Sequence, residues 1–472
     1  MGTTSYENWT REDFISRIAQ LESQLTKPAA ESSNSTQSRA NEKRPFDFSA
    51  YPKRKIALKF CYSGWEYNGL AYQPLPTPLP TVESVLFDAL VKSKLIDPDA
   101  GFDGCGWEKC GRTDRGVSAA GQVVSLWVRS ALAAPSSSQS QDSGSTLTAD
   151  DEFDVSPPSS SPQTKFPPEH NYVSILNRLL PCTIRVLAWS PVSPTFSARF
   201  SCRYRHYKYF FSRQGLDVDL MRAAASRLIG EHDFRNLCKL DPAKQLTVFK
   251  RTIVSVSIEP LSVDPSADVF VFNLVGSAFL YHQVRHIMAI LFLVGSRLEH
   301  PSVVTSLLNV TEGAESVVHE GDPPLQVVNA RPEYQMADAL PLMLWECGYR
   351  PEDVHWQIDG HHSDEERPEH GGELLQSLDS IYSRSKITCA LNQHFLDAAA
   401  RYHHPPISKT AKFAMHIPLG GGTFKRANKY TPLLDRVRMD PVDVVNERWR
   451  NGKGLRREER KRSGTVLVDD DE

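Results

Sequence analysis

The chain has 472 residues, of which 40% are hydrophobic and 24% charged, a length that predicts two to three structural units with buried cores. No apolar run approaches the roughly 18 residues that a membrane helix needs, and eight scattered cysteines predict reduced thiols of the nucleus or cytoplasm rather than disulfides or a metal site. The formal net charge of -3 argues against a polyanionic partner only until two acid-rich segments are set aside, because the remainder of the chain is more basic.

The first part of the chain predicts ordered elements between polar segments. An amphipathic helix is predicted over residues 10–25, followed by a polar linker. The hydrophobic pattern then predicts a strand over 55–62, a helix from about Thr81 and a second strand over 122–128. Residues 134–168 are rich in serine and poor in basic residues, which indicates a disordered insertion.

The second part of the chain continues this mixture of helices and amphipathic strands. Helices are predicted over 173–180, 221–229 and 279–298, and strands over 184–189, 203–211 and 269–275. Residues 359–371 form a second polar insertion, and the run from 446 onward is strongly charged. The interleaving predicts an α+β fold, with helices on one face of largely antiparallel sheets.

The motif CGRTDRG at 110–116 contains a single acid, Asp114, between Arg112 and Arg115. It lacks the GK[ST] ending of a phosphate-binding loop, and Cys105 and Cys110 lack the partners that a zinc site requires. Cationic neighbours favour an ionised carboxylate, which suits a nucleophile or an electrostatic stabiliser. The alternative is a tight turn in which Asp114 pairs with an arginine, and the spacing alone leaves both interpretations open.

Residues 195–213 combine five basic residues with seven Phe or Tyr and no acid. Basic residues interleaved with aromatic rings are typical of proteins that bind phosphates and stack unpaired RNA bases. On a strand, Arg205 and Tyr207 share one face while Lys208 lies on the other. A half-buried strand with core aromatics and solvated cations explains the same pattern.

Arg285 is the one basic residue within an apolar helical stretch. A buried arginine needs an anionic partner, for which a carboxylate is well matched. A structural ion pair satisfies this requirement, and a pair with Asp114 would make Arg285 functional.

Taken together, these motifs resemble the TruA-type tRNA pseudouridine synthases. The resemblance is carried by five blocks in order, covering about residues 54–300: YSGWEYNGLAYQ, CGRTDRGVSAAGQVVSL, ILNRLLPCTIRVLAW, FSARFSCRYRHYKYFF and GSAFLYHQVRHI. The CGRTD wording and GEHDFRNLCKLD at 230–241 are similar to the eukaryotic branch that acts on uridines 38 and 39 of the anticodon stem-loop.

The resemblance implies roles for individual residues. Asp114 matches the nucleophilic aspartate, Tyr207 the tyrosine that stacks on the target base, and Arg285 the basic residue that pairs with the aspartate. Arg112 and Arg115 are expected to hold the flipped nucleotide. The substrate-binding set that we predict is completed by Arg205 and Lys208.

The resemblance also implies an architecture: two α/β halves with mostly antiparallel sheets that face each other across a basic cleft. We divide the chain into an N-terminal helix and linker (1–50), an N-terminal catalytic half (51–215), a C-terminal half (216–445) and a charged tail (446–472). No cofactor and no metal are expected, because the isomerisation changes no oxidation state.

The expected partners are tRNA and a second copy of the chain in a homodimer, with no membrane, and the expected location is the nucleus, the cytoplasm or both. Three alternatives remain: a TruA-family synthase of broader site specificity, a catalytically silent RNA-binding relative, and an unrelated phosphate-handling enzyme.

Overall fold

The computed structural model of the chain describes residues 46–132, 169–262, 268–315, 320–359, 372–403 and 415–462. The predicted helix at 10–25, its linker and the Ser-rich insertion lie outside the described residues, as does all but the first residue of the 359–371 insertion. Residues Phe48–Glu472 belong to one compact unit.

The unit is organised around a nine-stranded sheet in the order β4-β1-β3-β9-β5-β8-β7-β6, with the short β2 paired to β3. The strands of this sheet are β1 (Lys53–Tyr62), β2 (Glu108–Lys109), β3 (Ser118–Arg129), β4 (Ile184–Pro191), β5 (Tyr204–Ser212), β6 (Gly230–Asp233), β7 (Lys250–Pro260), β8 (Val269–Gly276) and β9 (Leu342–Gly348). A separate hairpin consists of β10 (Met415–Gly420) and β11 (Thr423–Ala427). Among the described strands, β3 and β9 pair in parallel and the other pairs are antiparallel.

The continuity of this sheet differs from the predicted pair of separate sheets. Strand β5 belongs to the predicted N-terminal half, yet it pairs with β8 on one side and β9 on the other, both from the C-terminal half. Strand β9 also pairs with β3, which joins the two halves. Continuous pairing removes two sheet edges whose backbone groups would otherwise lack partners. The mixed, mostly antiparallel fold class is confirmed.

The described helices include those predicted from about Thr81 and over 173–180, 221–229 and 279–298, with shifts at their ends. They are α1 (Val82–Lys92), α2 (Gly101–Gly104), α3 (Tyr172–Asn177), α4 (Val218–Ala225), α5 (Gln283–Gly295), α6 (Val303–Leu308), α7 (Gly372–Ala400), α8 (Val442–Trp449) and α9 (Leu455–Arg462), with a π-helical turn at Arg450–Gly454 between the last two. The side chain of Thr81 accepts a hydrogen bond from the Ser84 amide and caps α1, as its position before the apolar stripe suggests.

One predicted helix begins later than expected. The helix predicted over 279–298 begins only at Gln283, because the preceding His282 adopts left-handed backbone angles (φ 60°, ψ 10°) that cannot continue a right-handed helix. The charged run after residue 446, for which no secondary structure was predicted, is helical up to Arg462. Among the described helices, none is long and apolar enough to cross a membrane.

Two hydrophobic cores meet beneath the Asp114 loop. The first core packs around β1 and β3 and the second around α5. Val117, at the end of the loop, belongs to the second core, whereas Cys110 at its beginning belongs to the first. Tyr207 packs against both cores. The predicted site therefore lies where the two halves join.

Candidate active site at the junction of the two cores

The loop that carries Asp114 is anchored through the residue before it. The hydroxyl groups of Thr113 and Tyr62 are 2.6 Å apart in the interior. The carbonyl of Thr113 accepts a hydrogen bond from the Leu70 amide (3.2 Å). Because hydrogen bonds hold both the side chain and the backbone of Thr113, the position of the following residue, Asp114, is fixed at the edge of the core.

Asp114 then begins a tight turn. The amide of Val117 donates to the carbonyl of Asp114 (3.1 Å), and Gly116 occupies the left-handed region (φ 83°). A positive φ at the third residue of a four-residue turn is a glycine requirement of type II turns. Gly64 packs against this turn so closely that a Cβ there would lie 2.1 Å from the Val117 oxygen.

The carboxylate of Asp114 contacts two side chains from the start of α5. His282 Nε2 lies 3.3 Å from Asp114 Oδ2, and Arg285 Nη1 lies 3.7 Å from the same oxygen. The Asp114 side chain is 23% exposed, so it remains accessible from solvent. Among the described residues, no ion pair or hydrogen bond reaches Oδ1, which leaves that oxygen available for attack on a substrate.

The predicted pair of Asp114 and Arg285 is thus present, although its geometry is that of an ion pair rather than a bidentate bridge. Arg285 Nε donates to the carbonyl of Ala337 (2.9 Å), which fixes the guanidinium in place. Arg285 is also the one residue of α5 that is not buried. The positive end of the α5 dipole adds to the attraction for a negative group at this position.

Tyr207 contributes an aromatic face on β5. Its ring packs edge-on against Phe279 with 4.9 Å between ring centroids, and Phe279 lies in the segment that leads to His282. Burial raises the pKa of the Tyr207 phenol, and nearby groups that include the Asp114 carboxylate raise it further. The phenol is therefore protonated at neutral pH and retains a proton to donate.

The other predicted site residues are placed differently. Arg112 and Arg115 are exposed on either side of Asp114. Arg205 lies on the same face of β5 as Tyr207, but its guanidinium is engaged by three backbone carbonyls: those of Ser277 (2.7 Å), Arg199 (2.9 Å) and Cys110 (3.1 Å). It links the Asp114 loop to the segment before α5.

Lys208 lies on the opposite face of β5 from Tyr207, where its ammonium stands 3.8 Å from the centre of the Trp345 ring. The structure therefore does not bring Lys208 to Asp114.

Cys105 and Cys110, which both precede Asp114 in the sequence, are buried free thiols. The thiols of Cys202 and Cys347 are neighbours of the Cys110 thiol. Interaction with these two thiols, together with burial, raises the pKa of the Cys347 thiol. Within the part of the chain that the structure describes, no group of three or more His, Cys, Asp or Glu is arranged to hold a metal ion.

Comparison with known proteins agrees with this geometry. A family model described as "tRNA pseudouridine synthase" matches residues 224–350, a range that contains His282 and Arg285. The "tRNA pseudouridine(38/39) synthase" of Saccharomyces cerevisiae is 39% identical over 467 residues, covering 95% of this chain and 92% of that protein.

The chain belongs to the tRNA pseudouridine synthase family. The "tRNA pseudouridine(38/39) synthase" of Mus musculus is 36% identical over 92% of this chain and 86% of its own length. The "tRNA pseudouridine synthase A" of Methanothrix thermoacetophila is 29% identical over 65% of this chain. The resemblance predicted from the sequence motifs is confirmed.

His282 is a residue of this candidate site that was not predicted from the sequence. It lies within the GSAFLYHQVRHI block, three residues before Arg285. The helix predicted over 279–298 includes both residues, and in it His282 would lie on nearly the same face as Arg285. Nothing in that pattern indicated that the helix begins after His282. Its side chain reaches Asp114 because the backbone turns left-handed there.

Proposed function

We propose that this protein isomerises uridine to pseudouridine in the anticodon stem-loop of tRNA, at positions 38 and 39. The observation that carries the proposal is the Asp114 carboxylate, which is held through Oδ2 by His282 and Arg285 and remains accessible. The names of the relatives that cover most of the chain support the choice of positions.

The reaction requires one bond to break and another to form within the same nucleotide. Asp114 attacks C1′ of the ribose, so that an ester bond to the carboxylate forms as the bond between C1′ and N1 of the uracil breaks. That ester bond breaks again when the new bond to C1′ forms, which regenerates the free carboxylate. The uracil rotates and C5 bonds to C1′, after which the proton on C5 is lost and N1 gains one. The product is an isomer of the substrate. The neutral Tyr207 phenol is suited to stack on the base and to exchange a proton during this rearrangement.

The target base must leave its stack before Asp114 can reach it. Extrusion of a base costs a few kcal/mol. Stacking on Tyr207 recovers about 1 to 3 kcal/mol, and the exposed Arg112 and Arg115 are available for phosphate contacts on either side of Asp114. This arrangement requires unpaired or easily opened nucleotides, as at the junction of an anticodon stem and loop.

The decisive experiment compares wild type with Asp114→Asn on unmodified tRNA, mapping pseudouridine at base resolution. We expect product at positions 38 and 39 from wild type, no product from the variant, and retained tRNA binding by the variant. Product at other positions would support a synthase of broader specificity. A wild type that binds tRNA without forming product would identify a catalytically silent relative.

We also propose that the protein is a homodimer whose interface includes α7. This 29-residue helix contains no buried residue, and the described contact of its beginning is with Arg185 on β4. Ile387, Leu391 and Phe395 are more than half exposed and spaced four residues apart on one side of the helix. A twofold axis places such a face against its own copy.

Light scattering tests the dimer. Leu391→Glu combined with Phe395→Glu is expected to give a monomer, whereas Gln393→Lys, on the far side of the helix, is expected to leave the dimer intact. A monomeric wild type at micromolar concentration contradicts the proposal.

For localisation we propose the nucleus, the cytoplasm or both, on the basis of the basic segments at 43–55 and 446–464. Imaging of the tagged full chain, with and without neutralisation of each segment, tests which of them directs import.

A further inference from the structure

Two lysines stand over one exposed aromatic ring beside the site. Tyr281 is 40% exposed. The ammonium of Lys239 lies 5.3 Å and that of Lys244 lies 5.4 Å from the centre of its ring. The amide of Lys239 donates to the carbonyl of Tyr281 (2.9 Å), so backbone and side chains both join the two segments.

The segment that supplies these lysines is rigidly built. Asp241 accepts a hydrogen bond from the Ala243 amide and caps the short helical turn Pro242–Lys244, which ends at Gln245 in the left-handed region. Gln245 Nε2 donates to the carbonyl of Asn446 on α8 (3.3 Å). The lysines therefore extend from a braced turn rather than from a free loop.

The ammonium of Lys244 pairs with Asp241 at 2.7 Å. The Lys244 side chain is 48% exposed, and ion pairs at exposed positions contribute little to stability. The ammonium can consequently be shared with an incoming anion at little cost.

This pair of lysines adjoins the catalytic carboxylate through two side chains. The rings of Tyr281 and His282 are 3.8 Å apart between centroids, and His282 contacts Asp114. Tyr281 therefore borders the place where a nucleotide held at Asp114 would lie. Two ammonium groups over a ring, next to a nucleotide site, match a phosphodiester better than a base edge, since lysine acts on phosphate as a point charge.

We propose that Lys239 and Lys244, oriented by Tyr281, form a subsite for the RNA phosphate that adjoins the target uridine. The inference rests on the proposed function. It assigns a role to Lys239 of GEHDFRNLCKLD (230–241) and to Lys244, which follows that segment; none of the predicted catalytic residues lies there. The subsite selects the strand position at which the uridine enters, because it holds the backbone at a fixed distance from Asp114.

The test uses the full chain with Asp114→Asn as background, so that binding is measured without turnover. Anticodon stem-loops are prepared in which single phosphates near the target are replaced by neutral methylphosphonates. In Asp114→Asn with Lys239 and Lys244 intact, one such replacement is expected to weaken RNA binding about tenfold. In Lys239→Ala/Lys244→Ala, that same replacement is expected to have no further effect.

Salt dependence provides a second measurement. Each of Lys239→Ala and Lys244→Ala is expected to reduce the slope of log K against log salt by about 1. Lys92→Ala, which removes an exposed lysine at the end of α1, is the matched control and is expected to leave the slope unchanged. In proteins with intact Asp114, the lysine variants are expected to form pseudouridine at near wild-type kcat with a raised KM.

The subsite is contradicted if, for every methylphosphonate, the loss of binding free energy is the same in the protein with both lysines as in Lys239→Ala/Lys244→Ala. The proposed function fails separately: if wild type forms no pseudouridine while the coupling persists, the phosphate subsite stands and the assigned reaction does not.

Discussion

His282 Nε2 lies 3.3 Å from Asp114 Oδ2, and the other ring nitrogen of His282, Nδ1, is buried without a hydrogen-bond partner among the described residues. The nitrogen that faces the carboxylate is therefore the one assigned the proton. In the proposed reaction, a histidine in this arrangement would hold Oδ2 and leave Oδ1 for the substrate. It would then act through Asp114, as a positioning residue.

Replacing this imidazole is expected to slow the chemical step. Asn tolerates left-handed backbone angles but is too short to reach Asp114, so His282→Asn preserves the helix start and removes the contact. Loss of this 3.3 Å contact with the carboxylate predicts a decrease of kcat of about 10-fold, with KM unchanged. Single-turnover kinetics on tRNA measure both. A variant with raised KM and unchanged kcat would assign His282 to substrate binding instead.

The Tyr207 phenol and its ring are separable by substitution. Tyr207→Phe keeps the packing against Phe279, so we expect tRNA affinity within about twofold of wild type and kcat lowered by about 100-fold through loss of proton transfer. Tyr207→Leu also loses base stacking, which is expected to weaken RNA binding by about 1 to 3 kcal/mol.

Tyr209→Phe is the matched control for Tyr207→Phe, because Tyr209 is buried and bonds the carbonyl of Asp338. It is expected to affect stability and leave kcat unchanged. Full activity of Tyr207→Phe would exclude its hydroxyl from the chemistry.

The close packing of Gly64 on the turn predicts sensitivity to a single methyl group. In Gly64→Ala the new Cβ would meet the Val117 oxygen at 2.1 Å, so the turn that presents Asp114 must move. We expect the free energy of unfolding to fall by about 1 to 3 kcal/mol, together with a loss of activity. Gly111→Ala, where nothing lies within 4 Å of the added Cβ, is expected to be neutral. Denaturant unfolding of both variants measures the difference, and equal stabilities would contradict the packing argument.

His286 predicts a pH-dependent stability. Burial first, and then the neighbouring Arg331, lower the pKa of His286 from 6.5 to about 2. Its Nε2 lies 3.0 Å from Arg331 Nη1, which donates to it. Below pH 6.5 the unfolded chain binds a proton at His286 that the folded protein does not. The free energy of unfolding therefore falls by about 1.4 kcal/mol for each unit by which the pH is lowered.

His286→Gln preserves an acceptor for Arg331 and removes the titration. Between pH 7 and pH 5 the stability of wild type is expected to decrease by about 2 kcal/mol more than that of the variant. Urea unfolding at several pH values gives this difference directly, and parallel curves for the two proteins would show that His286 does not titrate on unfolding.

Most strands and helices were predictable because their evidence is local. The alternation of Ile56, Leu58 and Phe60 places them on one face of a strand wherever that strand lies in the fold, and all three are buried in β1. The candidate roles of Asp114, Tyr207 and Arg285 were also predictable, since they follow from residue types and motifs in the sequence. Their catalytic roles stay predictions until the substitutions are measured.

The remaining features depend on contacts between distant parts of the chain. The pairing of β3 with β9 joins the predicted halves into one sheet, and no pattern within either strand indicates its partner. Lys208 and Tyr207 are neighbours in the sequence, yet the pleat of β5 sends them to opposite faces.

The sequence by itself determined the elements, the candidate nucleophile and the family resemblance, because periodicity and motifs are properties of short segments. Only the tertiary structure decided that His282 shares Oδ2 of Asp114 with Arg285, that Arg205 braces the backbone, and that two lysines converge on Tyr281. These relationships are distances of a few ångströms between residues far apart in the chain, and folding alone brings them together.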